Sequence, residues 1–412
     1  MEAWSGICLR DKGDLFGYAA GMGIIAFYLA ASILSVRQDQ AQLRTGCDDG
    51  DEIVARVPAG AAVTVRFAVN GCYAVRVGDI SGYLPAAALA GLESWEAERR
   101  QARSLDAPVG AQLLNMTPGS SAVSQASQLL TANRPGEALS LLERELAQAP
   151  HDAGLLGLAG VAAWRANRTE QAIGYWKDAQ AIRPDAGVAA LLAKAERETT
   201  ADQGTQTLES TRFSLRFEPR VMSTEVARGL SAVLEQELSR ISFDLGCQTA
   251  ERLSATAQSR EAYLTATGAS EWSGGQFDGR IRVAVIEDGG AGAETRKRFA
   301  HELVHACLAG TGRWPAWLHE GLAQRLSGEI LTAEARAEVR AAAMNGALPR
   351  LHQMNQNWSR LGADHARLAY SAALYAVELF YLHHKEFGIR TLIRNPEFLD
   401  RIADDLDHRM RN

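Results

Sequence analysis

The sequence predicts a multidomain α+β protein in which a small β part, a helical part and a mixed part follow one another. Residues 46–91 alternate apolar and polar side chains between turn residues, which is typical of β-strands. Residues 121–198 contain a helical pattern that repeats after 34 residues. Residues 210–412 combine alternating runs with the spacing of amphipathic helices. The polar segments 92–120 and 199–209 are predicted linkers, and 412 residues are too many for one ordinary domain.

An uncharged run of 22 residues, Leu15–Val36, precedes the β part. It is long enough to cross a bilayer and longer than the apolar stretch of a usual cleavable signal. We therefore expect residues 1–45 to hold a single membrane anchor, with the bulk of the chain outside the cytoplasm, in the periplasm or outside the cell. Two alternatives stay open. One is an export signal cut near Ala31 or Ser35, which would give a secreted protein, and the other is a buried globular helix.

The β part carries turn signals, such as Asn70-Gly71, between four predicted strands. These strands are Ile53–Val57, Ala62–Ala68, Cys72–Val77 and Ile80–Leu84. The segments Asn70–Val77 and Ser81–Pro85 resemble bacterial SH3-like domains. The resemblance implies a small β-barrel with a groove for a cell-wall or peptide ligand. Because Tyr73 follows Cys72 where a groove tryptophan would be expected, a barrel that is only a spacer stays an alternative.

The helical part repeats with a period of 34 residues, since Ala138 recurs as Ala172 and Pro150 recurs as Pro184. This period and the helical spacing within each copy resemble tetratricopeptide repeats. The resemblance implies a short helical array that docks a protein partner. An array that only orients the C-terminal part is the alternative.

The run His301-Glu302-Leu303-Val304-His305 is the most informative one in the chain. Side chains four residues apart on a helix project from the same face, so His301 and His305 can bind one metal ion. Glu302 lies about 100° round the helix from His301, where a general base for metal-bound water is needed. The residues on the opposite side are apolar and are predicted to pack on a core: Phe299, Ala300, Leu303, Ala306 and Cys307.

A third protein ligand is predicted on the next helix, because a catalytic zinc has three protein ligands and leaves one position for water. On a helix that follows Pro315, Glu320 lies on the side opposite an apolar stripe. Glu320 is therefore the predicted third ligand. His319 falls near the stripe and is the poorer candidate. Gln324, one turn on, is a candidate hydrogen-bond partner of Glu320.

The run from His301 to His305, together with Trp317-Leu318-His319-Glu320-Gly321-Leu322-Ala323, resembles the gluzincin metallopeptidases, particularly the bacterial peptidase MA-like group. The resemblance extends from near residue 213 to near residue 399. It implies a zincin-like domain with a mixed sheet and active-site helices. It also implies one zinc ion bound by His301, His305 and Glu320, with Glu302 as the catalytic base. Where such families often have an acidic residue one turn after the third ligand, this chain has Gln324.

Two strands are predicted upstream of the metal-binding helix. Thr211–Phe217 alternates and is expected to open the C-terminal domain. Ile281–Ile286 follows the glycine-rich run Gly274–Arg280. It is predicted to be the edge strand beside the cleft and to bind extended substrate by adding it to the sheet. Leu368–Tyr370 with Ala373–Leu382 is similar to the helix that follows the site in the family.

Other reactive side chains carry weaker signals. Tyr370 is either a hydrogen-bond donor to a tetrahedral oxyanion or a core aromatic. His383 and His384 end an apolar helix, where a solvated pair facing the helix dipole is the expected state. Cys307, on the apolar side of the metal-binding helix, is predicted to pack there.

Composition and charge exclude other classes of function. The net charge is −6 and the chain has no basic stripe, so nucleic acid is not an expected partner. The five cysteines form no CxxC pair, which excludes a cysteine zinc ribbon. In an oxidising compartment, Cys47 and Cys72 are predicted to form a disulfide within the small β part. Two buried thiols in a cytoplasmic barrel are the alternative.

These features predict a zinc metallopeptidase that acts on a peptide or protein substrate and is anchored in the membrane or exported. The rival hypothesis is a zincin-like scaffold without turnover that binds proteins through its repeats and its SH3-like part. The intact set His301, Glu302, His305 and Glu320 favours the enzyme. The sequence assigns no residue to substrate binding.

Overall fold

The computed structural model describes residues 33–69, 72–93, 121–269, 273–285, 291–354, 358, 363–385 and 387–411. The chain divides into two compact units, Met1–Trp95 and Glu96–Asn412. The first unit contains one sheet, and the second contains helices and another sheet. The α+β class and the multidomain organisation that the sequence predicts are confirmed.

The first unit is built on a seven-stranded antiparallel sheet. Its strands are β1 (Ile33–Val36), β2 (Ala41–Arg44), β3 (Ile53–Val57), β4 (Ala62–Val69), β5 (Cys72–Val77), β6 (Ile80–Pro85) and β7 (Leu89–Ala90). They lie in the order β3-β2-β6-β5-β4-β1-β7. Within the described residues, β3 and β7 are the two edge strands and do not pair with each other. The expected barrel is therefore an open sheet. Strand β7 has two residues, both paired with β1, and is too short to close the barrel.

This sheet begins at Ile33, earlier than the predicted start at residue 46. In β1, Leu34 and Val36 are buried while Ser35 between them is half-buried. Strand β2 shows the same alternation. Alternate burial is the mark of a strand with one face on the core. In the sequence it is hidden because β1 lies at the end of a long apolar run.

The predicted membrane segment Leu15–Val36 ends in this sheet. Its last four residues, Ile33–Val36, form β1 and pair with β4 and β7, so they are strand and not part of a membrane helix. Residues 15–32 lie outside the described part of the chain. Among the helices that the structure describes, none has the length and apolar character that crossing a membrane requires.

A disulfide joins Cys47 to Cys72, as the sequence predicts. Their Cα atoms are 5.8 Å apart, within the range that a disulfide spans. The bridge links residues 25 apart in sequence. Closing a loop of this length stabilises the fold by about 3 kcal/mol, which matters in a unit with a small core.

The described part of the second unit begins with five helices: α1 (Ser121–Thr131), α2 (Pro135–Leu146), α3 (Ala153–Arg165), α4 (Thr169–Ile182) and α5 (Ala186–Ala201). The 34-residue period is visible in the backbone. Asn133 and Asn167, after α1 and α3, have positive φ angles of 53° and 62°. The next amides, of Arg134 and Arg168, each donate to the carbonyl five residues back at 2.8 Å. The repeat in the sequence therefore corresponds to a repeated helix-ending turn, in which asparagine tolerates the left-handed conformation.

The rest of the second unit is organised around a five-stranded mixed sheet. Its strands are β8 (Gln206–Glu209), β9 (Phe213–Phe217), β10 (Leu253–Ser259), β11 (Gly275–Phe277) and β12 (Ile281–Val285), in the order β11-β12-β10-β9-β8. The three central strands are parallel, and β8 and β11 run antiparallel at the two edges. The strand predicted at Thr211–Phe217 is confirmed as β9, with alternate residues buried.

Two expectations about this sheet are wrong. Residues 199–209 are not a linker, because α5 continues to Ala201 and Gln206–Glu209 pairs with β9. This segment is polar because β8 is a largely exposed edge strand. The strand predicted at Ile281–Ile286 is not the edge strand either. Its described residues, Ile281–Val285, form β12, which lies between β10 and β11 and is buried at every residue, and Ile286 lies outside the described residues. Strand order depends on pairings between distant residues, which local periodicity does not reveal.

Among the residues that the structure describes, this unit has eight more α-helices: α6 (Thr224–Leu245), α7 (Arg260–Thr267), α8 (Ala293–Ala309), α9 (Ala316–Ser327), α10 (Ala333–Met344), α11 (Ala363–His383), α12 (Ile389–Arg394) and α13 (Leu399–Arg411). Helix α8 contacts the sheet and α6, and α9 contacts both α8 and α11. Phe299 of α8 and Trp317 of α9 are fully buried in a core that they share with the sheet. This core fixes the relative position of α8 and α9.

Helix α9 lies close to α11 because Gly321 has no side chain. A Cβ at Gly321 would overlap the Ala373 carbonyl and come to 2.6 Å from Val377 Cγ2. We therefore expect Gly321→Ala to destabilise the protein by about 1–3 kcal/mol, the usual cost of overpacking. Thermal unfolding measures the change.

Gly229→Ala in α6 is the matched control, because a Cβ there would meet no atom within 4 Å. Alanine is the better helix former, so this control is expected to gain about 0.5–1 kcal/mol. Equal unfolding temperatures of Gly321→Ala and the wild type would contradict the close packing of α9 on α11.

Candidate metal centre

Helix α8 has one buried side and one side that faces the site. The five apolar residues predicted to pack on a core, Phe299, Ala300, Leu303, Ala306 and Cys307, are all buried. His301 and His305 lie on the other side and are half-buried. The faces of this helix are therefore those that the sequence predicts.

The structure brings His301, His305 and Glu320 together. Glu320 Oε2 lies 3.3 Å from His301 Nε2 and 3.5 Å from His305 Nε2. One ligand atom from each of the three residues lies within 4.8 Å of the others. Zinc binds imidazole nitrogen and carboxylate oxygen at about 2.0–2.1 Å, which places neighbouring ligand atoms of a tetrahedral site about 3.3–3.4 Å apart. The three residues fit one zinc ion.

Glu320 supplies the negative charge that such a site needs. Its Oε2 is buried and accepts no hydrogen bond of good geometry, which leaves a lone pair for a cation. Burial opposes the charged carboxylate, but the imidazoles of His305 and His301 outweigh it and hold the pKa of Glu320 well below its usual value. Two imidazoles and a charged carboxylate form a known donor set of catalytic zinc.

Glu302 lies beside these ligands and is 5% exposed. Its carboxyl group packs on the edge strand, since a Cβ at Gly275 would come to 2.5 Å from Glu302 Oε1. Burial is the main cause that raises the pKa of Glu302 to about 8, and the carboxylate of Glu320 adds to it. A carboxyl group with a pKa near neutrality can take up a proton and release it again.

Gln324 bonds the backbone of Glu320 and not its carboxylate, so the expected partnership is wrong in detail. Gln324 Nε2 donates to the Glu320 carbonyl at 3.1 Å and to the Tyr370 carbonyl at 2.9 Å. A side-chain amide can donate two hydrogen bonds, whereas a carboxylate can only accept them. This explains an amide at the position, where it ties α9 to α11 one turn after the ligand.

His319, the poorer ligand candidate, contacts the predicted ligand His305 instead. The Nδ1 atoms of His319 and His305 lie 3.3 Å apart. Burial lowers the pKa of His319 to about 4, so its ring is neutral near pH 7. A hydrogen bond between the two Nδ1 atoms orients the His305 ring with Nε2 toward Glu320. Sequence reasoning missed this contact because it joins two helices and leaves no trace in the periodicity of either.

Tyr370 lies on α11, close to the site. Its ring packs edge-on against Trp358, with ring centroids 5.2 Å apart. Burial, together with the charges of Glu320 and Glu302, raises the pKa of the Tyr370 hydroxyl well above its usual value. The hydroxyl therefore keeps its proton. Both alternatives for Tyr370, a core aromatic and a donor to an oxyanion, are compatible with this position.

Cys307 forms a disulfide with Cys247, whereas the sequence predicted only packing. The Cα atoms are 5.6 Å apart, and both residues are buried. Cys247 follows α6, so the bridge ties helix α8 to the end of α6. The two residues are 60 apart in sequence, which is why no local pattern pairs them.

A second group of side chains that could bind a metal ion consists of His352, Asp404 and Asp407. It suits a metal ion less well than the first group does. His352 and Asp404 are exposed. Both carboxylate oxygens of Asp407 lie within hydrogen-bond distance of the Leu351 amide, at 3.3 and 3.1 Å. Because that carboxylate already has a partner, the first group is the better metal site.

The histidines at the end of α11 differ from each other. His384 Nε2 lies 3.0 Å from Asp405 Oδ2, and its ring stacks on Phe380 with centroids 5.5 Å apart. His383 is exposed. The expected solvated pair is therefore one exposed histidine and one that is paired with a carboxylate.

The first unit has a cleft of about 290 Å³, lined among others by Asp39, Arg44, Tyr83 and both cysteines of its disulfide. Tyr73 is only 6% exposed and belongs to the core of the sheet. The aromatic side chain in the cleft is therefore Tyr83. Binding of a cell-wall or peptide ligand there stays a prediction.

Comparison of the sequence with protein-family models and with curated proteins found no match. The function of the chain is therefore inferred from the chemistry of its site.

Proposed function

We propose that the chain is a zinc-dependent metallopeptidase of the gluzincin type, which hydrolyses peptide bonds in a peptide or protein substrate. The observation that carries the proposal is the convergence of His301, His305 and Glu320 at distances that suit one tetrahedral zinc ion. A buried glutamate, Glu302, lies beside them without being a ligand. These are a metal-binding set and a general base in the arrangement that hydrolysis requires.

The side chains divide the chemistry between them. His301, His305 and Glu320 would hold the zinc ion, which supplies a Lewis acid for the scissile carbonyl and lowers the pKa of water. Glu302 takes a proton from the attacking water and passes it to the leaving amine. His319 keeps the His305 ring in its orientation during the cycle.

We expect extended substrate to add as a strand to β11, in place of the role first predicted for Ile281–Ile286. Among the described strands, β11 is one of the two edges of its sheet, and Gly275 within it lies against Glu302. A strand added there would therefore reach the catalytic base. The Gly275 carbonyl already accepts hydrogen bonds from Tyr263 and Ser273, at 2.8 and 2.9 Å. Substrate would thus bond nearer to Phe277.

Cleavage of a quenched-fluorescent peptide library or of casein by the purified chain tests the function. Hydrolysis is expected to stop when a chelator removes the metal and to return when one equivalent of zinc is added. A chain that binds zinc but cleaves nothing would support the rival hypothesis of a scaffold without turnover.

We further propose that the chain works outside the cytoplasm, anchored in the membrane or exported. Two disulfides, Cys47–Cys72 and Cys247–Cys307, support this, because disulfides persist in oxidising compartments and are rare in the cytosol. Neither bridge has the CxxC spacing of a redox motif. Both are therefore expected to be structural.

Alkylation before and after reduction, followed by mass spectrometry of protein from its native compartment, tests this proposal. Each of the four bridged cysteines is expected to react only after reduction. Replacing Cys247 and Cys307 by alanine is expected to cost about 4 kcal/mol of stability, since their bridge closes a long loop. Four thiols that react without reduction would contradict both the bridges and the compartment.

A further inference from the structure

A buried group of acidic and basic side chains, the charged cluster, joins helix α5 to the β11–β12 hairpin. Its members are Lys194, Glu198 and Asp202, on α5 or directly after it, and Asp278, Arg280 and Arg282 on the hairpin. The side chains of Lys194, Glu198, Arg280 and Arg282 are only 1–4% exposed. Charges are seldom buried to this extent unless each has a partner.

Each charge in the cluster is paired across the interface. Lys194 Nζ lies 2.9 Å from Asp278 Oδ2. Arg282 Nη1 lies 2.7 Å from Asp202 Oδ1. Arg280 pairs with Glu198. Because loss of one partner leaves the other as an uncompensated buried charge, these pairs resist any displacement of the hairpin from α5.

Helix α3 adds a second contact to the hairpin turn. The Arg280 guanidinium lies 3.9 Å from the centre of the Trp164 ring, and Trp164 Nε1 donates to Glu198 Oε2 at 2.7 Å. A Cβ at Gly279 would come to 2.9 Å from Arg165 Cγ. The turn is therefore held against α3 and α5 by stacking and close packing as well as by charge.

The same hairpin contacts the catalytic base at its other end. Strand β11 runs from Gly275, which packs on Glu302, to Phe277, which directly precedes Asp278. Its register with β12 places Gly275 opposite Val283 and Phe277 opposite Ile281, so β11 is paired with β12 over its whole length. A displacement of the turn at Asp278 is therefore passed on to the backbone beside Glu302.

We propose that the helical array positions edge strand β11 for catalysis, with Lys194 and Asp278 as the positioning pair. The proposal rests on the peptidase function and deepens it. It gives the repeats a role within their own chain. Leu155–Trp164 of α3 is buried at every residue, so this stretch offers no surface to a separate partner.

Lys194→Met is the variant of choice. It keeps the length of the buried stem and removes the charge. The partner left behind, Asp278, is 20% exposed, so water can reach its carboxylate and the fold tolerates the change. The matched control is Lys177→Met. Lys177 Nζ lies 3.4 Å from Glu196 Oε1 on α5, but both side chains are more than half exposed, so this ion pair contributes little.

Hydrogen exchange of the backbone amides in residues 274–284 is the first measurement. Lys194→Met is expected to exchange about tenfold faster there than the wild type, with the amides of α8 unchanged, and Lys177→Met is expected to match the wild type. Should Lys194→Met not fold, Asp278→Asn replaces it, because the amide keeps the shape of the side chain. Unchanged exchange in the hairpin overturns the proposal, whether or not the chain cleaves peptides.

Peptide hydrolysis is the second measurement. In Lys194→Met, kcat/KM is expected to fall about tenfold or more at unchanged zinc content, since small displacements of reacting groups slow catalysis strongly. Faster exchange in the hairpin with an unchanged kcat/KM overturns the catalytic part of the proposal. A wild type that cleaves nothing refutes the peptidase function instead, so the two failures are distinguishable.

Discussion

Glu302→Gln is expected to bind zinc like the wild type and to hydrolyse peptide about 10²–10⁴ times more slowly, the range that a general base contributes. Glutamine has nearly the shape of glutamate, so the packing of this buried side chain on Gly275 is kept. It can neither take up the proton of the attacking water nor deliver one to the leaving amine. The loss is therefore expected in kcat, with zinc content unchanged.

Glu294→Gln on the same helix is the matched control. Glu294 Oε1 lies 3.4 Å from Arg298 Nε, and its side chain is 45% exposed. This variant is expected to keep the wild-type rate, since exposed ion pairs contribute little. Hydrolysis by Glu302→Gln at the wild-type rate would refute the assignment of the base.

Glu320→Ala is expected to lose the zinc ion itself, and with it all peptide hydrolysis. Without Glu320, only two of the three candidate ligands remain, and neither imidazole supplies a negative charge to the cation. We expect the affinity for zinc to fall by more than about 100-fold, beyond the largest effect of a residue that only supports a ligand. His301→Ala and His305→Ala are expected to behave in the same way.

Zinc titration followed by thermal unfolding measures this loss, because a ligand that binds only the folded state raises the unfolding temperature. Glu329→Ala is the control, since Glu329 pairs with Lys297 just beyond the end of α9. It is expected to bind zinc like the wild type. Undiminished stabilisation of Glu320→Ala by zinc would show that Glu320 is not a ligand.

Helix α8 and the face that carries its two histidines could be predicted because the information is local. Spacing of four residues places His301 and His305 on one face, and the apolar residues between and around them define the opposite face. Both features hold in the structure. Glu320 could be predicted as the third ligand because it lies on the polar face of the next amphipathic helix. Only the turn between the two helices had to be assumed.

The contacts that join distant elements could not be predicted. Gln324 bonds the Tyr370 carbonyl on α11, and His319 meets His305 on α8, and neither contact follows from the periodicity of α9. The order of strands likewise depends on pairings across the sheet. For this reason the sequence favours an edge strand at Ile281–Val285, although in the structure β11 pairs with this strand and covers its edge.

The cysteines show the same limit. Cys47 and Cys72 could be paired because both fall within one small predicted module. Cys247 and Cys307 lie in different elements, 60 residues apart, and Cys307 resembles an ordinary core residue of an amphipathic helix. The charged cluster could not be predicted for the same reason. From the sequence alone, Lys194 and Glu198 would be taken for exposed helix residues, and only the fold places Asp278 and Arg280 next to them.

X-ray absorption at the zinc edge of the purified, zinc-loaded chain tests the central claim most directly. Two histidine nitrogens and oxygen ligands are expected at about 2.0–2.1 Å, with the multiple-scattering signal of two imidazoles. Glu320→Ala is expected to lose this spectrum. A first shell that contains sulfur at about 2.3 Å, or one without imidazole, would contradict a zinc ion held by His301, His305 and Glu320.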